Sequence, residues 1–100
     1  MENIEYCAIL VRRMEDLWEA TRTGLSLGAF HYHVCLCVIN VDVEMTEDLK
    51  ENLDWLEKLD CEFISNREGN SEHRFKFMPD EFISKYLSEM DLVVPFGKRS

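Results

Sequence analysis

The sequence predicts an α/β fold, a three-layer sandwich in which a mainly parallel sheet of four or five strands carries helices on both faces. Val34 to Val43, Val-Cys-Leu-Cys-Val-Ile-Asn-Val-Asp-Val, is apolar and β-branched with no polar face, the pattern of a strand buried on both sides. Segments of this kind alternate along the chain with segments of helical period, as expected when crossover helices cover a parallel sheet. A length of 100 residues supplies one modest core, so residues 1–100 read as a single domain.

Glu5 to Arg12 is the first strand, apolar from Tyr6 to Val11, and is expected beside the strand that begins at Val34. The first helix follows, roughly Glu15 to Leu27, with Leu17, Thr21, Gly24, Leu25 and Gly28 on one side. Ala20, Gly24 and Gly28 recur every four residues, a row that lets the helix lie close on the sheet, and Gly28 is expected as the C-cap. Thr46 reads as the N-cap of a second helix that runs to about Leu59, with Leu49, Leu53, Leu56 and Leu59 on the core. Trp55 falls to one side of that stripe, and Lys50 with Asp54 and Asp54 with Lys58 make helix-spaced ion pairs. Cys61 to Ser65 is a short third strand, followed by the chain's clearest loop, Asn66-Arg67-Glu68-Gly69-Asn70-Ser71. Phe75 and Phe77 alternate with Arg74 and Lys76, which predicts a fourth, half-exposed strand; an antiparallel hairpin through Gly69 stays open as its connection. Pro79 opens a third helix with Phe82, Ile83, Tyr86, Leu87 and Met90 as its apolar face. Asp91 to Phe96 closes the sheet, with Pro95 near a strand end or on an edge.

Lys and Arg total 11 against 20 Asp and Glu, a formal net charge of -9 that argues against a nucleic-acid or anionic-membrane surface and for a basic or uncharged partner. No apolar run approaches the ~20 residues of a membrane span, and Met-Glu-Asn-Ile-Glu lacks the basic start of a signal peptide, so a cytoplasmic protein is expected. Cys7, Cys35, Cys37 and Cys61 fall in apolar strand segments without the spacing of a disulfide framework, and free, buried thiols are expected. His31, His33, Cys35 and Cys37 alternate along one strand face, but four positions on a straight strand span too far for one tetrahedral ion. No metal is expected there.

In an open parallel sheet, ligands bind outside the carboxyl ends of the strands, where neighbouring connections diverge. That rule selects Arg12, Arg13, Asn40, Ser65, Asn66, Arg67 and Lys98 as candidate ligand-binding residues. Their cations can focus an anionic ligand or the acidic segment of a partner. Arg12-Arg13-Met14-Glu15-Asp16 lacks the glycines of a pyrophosphate cradle, so no nucleotide or other cofactor is expected. Trp18 and Trp55 at stripe edges leave a small scaffold with apolar surface to cover, which points to a homo-oligomer, a dimer or higher.

Five stretches together carry a family resemblance: Cys-Ala-Ile-Leu-Val from Cys7, Leu-Trp-Glu-Ala-Thr-Arg-Thr-Gly-Leu-Ser-Leu-Gly from Leu17, the step into Val34 to Val43, Phe-Met-Pro-Asp-Glu-Phe from Phe77, and Leu-Val-Val-Pro-Phe from Leu92. Through them most of the chain resembles the small DsrE-like family of sulfur-relay proteins, which includes the Tus proteins. The resemblance implies a small α/β sandwich around a mainly parallel sheet and assembly into homo- or hetero-oligomers. It also implies a persulfide-carrying cysteine in the loop after the third strand in the active members. Here that loop reads Ser65-Asn66-Arg67, a hydroxyl cannot hold a persulfide, and Cys61 lies roughly 13 Å away at the start of the strand. The expectation is therefore a non-catalytic DsrE-like protein that works by assembly with itself or with a partner in intracellular sulfur handling. Two alternatives stand beside it: a sulfur carrier using another thiol, and a small-anion sensor using the rim.

Overall fold

The computed structural model describes residues 5–96. Five strands, β1 (Glu5–Val11), β2 (Tyr32–Val38), β3 (Glu62–Ser65), β4 (Lys76–Phe77) and β5 (Leu92–Phe96), form one sheet in the order β4-β3-β2-β1-β5, and every pairing is parallel. Three helices, α1 (Leu17–Ala29), α2 (Glu47–Lys58) and α3 (Asp80–Ser88), complete a three-layer α/β sandwich. No helix among the described residues is long and apolar enough to cross a membrane.

The layer assignment follows from handedness. From β1 through β4 each step goes the same way across the sheet, so right-handed crossovers place α1, α2 and the 3₁₀ segment Glu68–His73 on one face. The step from β4 to β5 returns past β1, which puts α3 on the other face. The core divides accordingly. Ile9, Val11, Val34, Leu36 and Val38 meet Leu17, Ala20, Leu49, Leu53 and Leu56, whereas Leu10, Cys35, Cys37 and Ile64 meet Ile83. On the first face α1 lies close, because a Cβ on Gly24 would stand only 3.2 Å from Leu56 Cδ2 and 3.3 Å from Ile9 Cδ1.

Several expectations are corrected. β2 ends at Val38, since Asn40 adopts a left-handed φ of 58°, yet Val41 and Val43 are buried from the loop beyond it. Gly28 lies within α1 against Leu59, and the left-handed residue after the helix is His31, which is thereby removed from the face shared by His33, Cys35 and Cys37. Cys61 precedes β3, and Leu59 caps α2 with 43% of its surface exposed. No hairpin forms through Gly69. The 3₁₀ segment is a crossover, Phe75 is fully buried edge-on against Phe63, and β4 keeps two residues parallel to β3. Asp54 pairs with Lys50 and, in place of Lys58, with Arg74 at 2.9 Å; Lys58 lies over the Trp55 ring. Phe82, expected on the apolar face of α3, is 58% exposed.

Candidate functional site at the carboxyl rim

Register places Val11 level with Val38 and Val38 level with Ser65, so the loops after β1, β2 and β3 leave one rim side by side. The connection after β3 turns to the face of α1 and α2, and the one after β4 turns to the face of α3. The crevice expected of an open sheet therefore lies between β3 and β4. Asn66 fills it. Its Nδ2 donates to Asp80 Oδ1 at 2.8 Å, tying the β3 end to the start of α3, and to Asn40 Oδ1 at 2.9 Å, while the Asn40 N–H donates back to Asn66 Oδ1 at 2.8 Å. Asn tolerates the left-handed backbone this exchange needs.

Ser65 lies beneath, fully buried, its Oγ accepting from the Arg67 N–H at 3.1 Å and from Asn70 Nδ2 at 2.8 Å. Asn70 is the pin of this region. Its Nδ2 also donates to the Val41 carbonyl at 2.8 Å and its Oδ1 accepts from the Val43 N–H at 2.9 Å, so a side-chain amide replaces the strand partner that residues 41–43 lack. Among the described residues every buried side-chain nitrogen and oxygen has a partner.

No family model, curated protein or solved structure matches the chain. What the rim does must follow from its own chemistry.

Two of its cations, Arg13 and Arg67, are turned toward carboxylates of the same chain. Arg13 grips Asp16 with two bonds of 2.8 and 3.1 Å and reaches Glu15 at 3.2 Å; this bond holds Asp16 below the ordinary carboxylate value and Arg13 above the ordinary guanidinium value. Arg67 reaches Asp42 at 3.4 Å and the Asn40 carbonyl at 3.5 Å. Arg12 is exposed, and Lys98 lies outside the described residues. The structure thus gathers Asn40, Ser65, Asn66 and Arg67 into one network and places Arg12 and Arg13 at the neighbouring strand end.

The thiols are free and buried. Burial pushes Cys37 and Cys61 up to about 12 and raises Cys7 and Cys35 as well, so thiolate is scarce at neutral pH. Among the described residues no group of three or more His, Cys, Asp or Glu is arranged to hold a metal ion.

Sequence reasoning missed two features. Asn70 was one polar residue in a polar loop, and nothing local marks it as buried. At the amino end of the sheet, the Tyr86 hydroxyl on α3 donates to Glu62, whose carboxylate also lies 3.5 Å from His33 Nε2; the His33 ring packs on Tyr6 at 5.0 Å. The spacing of β2 against β3 could have shown His33 and Glu62 near one another on one face, but only once the parallel register was known.

Proposed function

We propose that this chain is a non-catalytic DsrE-like protein that acts by assembly, with further copies of itself or with a sulfur-handling partner. The observation that carries this reading is Ser65. At the strand end where the resemblance would set a sulfur-carrying cysteine, the chain has a fully buried hydroxyl committed to two donors, and each of its four thiols is buried and raised in pKa. A carrier thiol has to be exposed and ionised to attack a persulfide donor. The α/β sandwich with its parallel sheet agrees with the mainly parallel α/β sandwich that the resemblance implies. Exposed Phe30, Trp18, Trp55 and Phe82 offer the apolar surface that an assembling protein covers.

The test is chemical. Native protein incubated with a persulfide donor is expected to keep its intact mass, and light scattering at high micromolar concentration is expected to show a dimer or larger species. A stable sulfur adduct on a native cysteine would replace this reading with that of a thiol carrier. Monomer alone would remove self-assembly and leave only a partner of another kind.

A further inference from the structure

A second feature of the same rim lies between the amino-terminal ends of α1 and α2: an open groove of about 520 Å³ lined by Met14, Glu15, Trp18, Thr46, Asp48 and Leu49. Its walls are fixed from behind. Thr46 Oγ1 caps α2 by accepting from the Leu49 N–H at 3.1 Å, and the Glu44 N–H donates to Met14 Sδ at 3.3 Å. Asn52 Nδ2 donates to Thr21 Oγ1 at 2.9 Å, and that hydroxyl donates to the Trp18 carbonyl at 2.6 Å, bridging the two helices below the indole. A groove held this way loses little freedom when it is filled.

Charge decides what fills it. Two helix ends contribute roughly half a positive charge each. Against them and the guanidiniums of Arg13 and Arg22 stand five carboxylates in the first turns: Glu15, Asp16, Glu19, Glu47 and Asp48. The mouth is therefore negative, and Asp48 has no ion-pair partner among the described residues. The Trp18 indole already attracts a cation, with the Arg22 guanidinium 5.2 Å from its ring centre. A long apolar stem with a cationic end matches Met14 and Trp18 below and, at the rim, Asp48 beside Glu15, whose carboxylate Arg13 already reaches at 3.2 Å. A second copy of a chain with net charge -9 does not.

We propose that this groove receives a lysine or arginine side chain from a basic segment of a partner protein. The proposal rests on the reading of the chain as an assembly protein and names the chemistry of its partner.

The experiment is titration of the isotopically labelled full chain with a capped peptide of alternating lysine and alanine, followed by NMR, with the same peptide acetylated on its lysines as control. The expected result is a shift of the Trp18 indole N–H and of amides at Met14 to Trp18 and Thr46 to Leu49, while the Trp55 indole stays in place. Acetylated peptide should have no effect. Trp18→Ala should weaken binding about twofold to fivefold, the range of a cation on a partly exposed indole. Asp48→Asn, which keeps the Thr46 cap and hence the helix, should weaken it severalfold, and Glu81→Gln on α3 should leave it unchanged. No binding, equal movement of both indoles, or equal losses in Asp48→Asn and Glu81→Gln would overturn the proposal in favour of no site or diffuse attraction. The persulfide assay separates the two readings: an adduct on a protein whose groove still binds removes the non-catalytic assignment alone, and an adduct-free protein that ignores the peptide removes the groove alone.

Discussion

The two faces of the sheet are covered unequally. On one, α1, α2 and the 3₁₀ crossover enclose Ile9, Val11, Leu36, Val38 and Phe63, and Phe75 is fully buried among them. On the other, α3 is the one helix over Leu10, Cys35, Cys37 and Ile64, with Ile83 as its one buried residue, and Ile39, Met78, Tyr86, Leu87 and Met90 pack half-buried beside it. Apolar burial is the main source of stability, so the first face should hold the fold together. The second should be the part that opens first. The candidate rim sits where both coverings begin: Asn66 bonds to Asn40 on the β2 side and to Asp80 at the start of α3.

Truncating one anchor on each face tests this most strongly. Phe75→Ala should cost about 3–5 kcal/mol of global stability, since a fully buried ring leaves a cavity lined by Phe63 and its neighbours. Ile83→Ala should cost about 2–3 kcal/mol, near the low end for such truncations because the half-buried side chains packed on its cluster, Tyr86, Leu87 and Met90 among them, can settle into the space. Urea denaturation gives both values, and hydrogen exchange should show Ile83→Ala loosening the amides of α3 before those of β1 and β2. If Ile83→Ala proved the costlier change, or if α3 and the central strands exchanged together, the two faces would be one cooperative unit.

Asn70 sharpens the comparison at its polar end. Asn70→Ala removes three hydrogen bonds and leaves the Val43 N–H and the Val41 carbonyl facing an apolar interior. The expected loss is about 2–3 kcal/mol, with the Val43 amide losing protection from exchange. A loss under about 0.5 kcal/mol would mean that water replaces the side chain and that the loop after β2 holds itself.

What was legible in the sequence, and what was not, divides along local and distant causes. Unbroken apolar runs gave β1, β2 and the parallel sheet; Thr46 and the leucines at helical spacing gave α2; Pro79 gave the start of α3. Each depends on neighbours in the chain. The end of β2 was misread because Val41-Asp42-Val43 continues a strand alternation, while its hydrogen-bond partner is Asn70, 27 to 29 positions on. The strand-end rule brought most of the rim residues to one edge, yet it could not show that Arg13 and Arg67 face their own carboxylates. The groove at Trp18 was invisible for the same reason, because the packing of Gly24 on Leu56 that sets α1 beside α2 is a property of the folded chain.

The smallest expected effect lies on the thinly covered face, and its sign depends on pH. The Tyr86 hydroxyl donates to Glu62, and burial first, then Glu62 and Cys35, raise its pKa above the ordinary 10.0. Because Glu62 and Tyr86 are both partly exposed, Tyr86→Phe should cost less than about 1 kcal/mol at pH 7. Below the unfolded pKa both states keep the phenolic proton and this contribution is complete. Above it the unfolded chain releases a proton that the native one retains, so the contribution shrinks as pH rises. Phenylalanine has no proton to retain. The buried thiols, with folded values of about 12 for Cys37 and Cys61 against 9.0 unfolded, weaken both proteins alike from about pH 9 upward. Urea titrations at pH 7, 9.5 and 10.5 should therefore show both proteins losing stability while the gap between them narrows. A gap that widened with pH would mean that the tyrosinate is accommodated beside Glu62, and that the face under α3 is more open to water than its half-buried residues indicate.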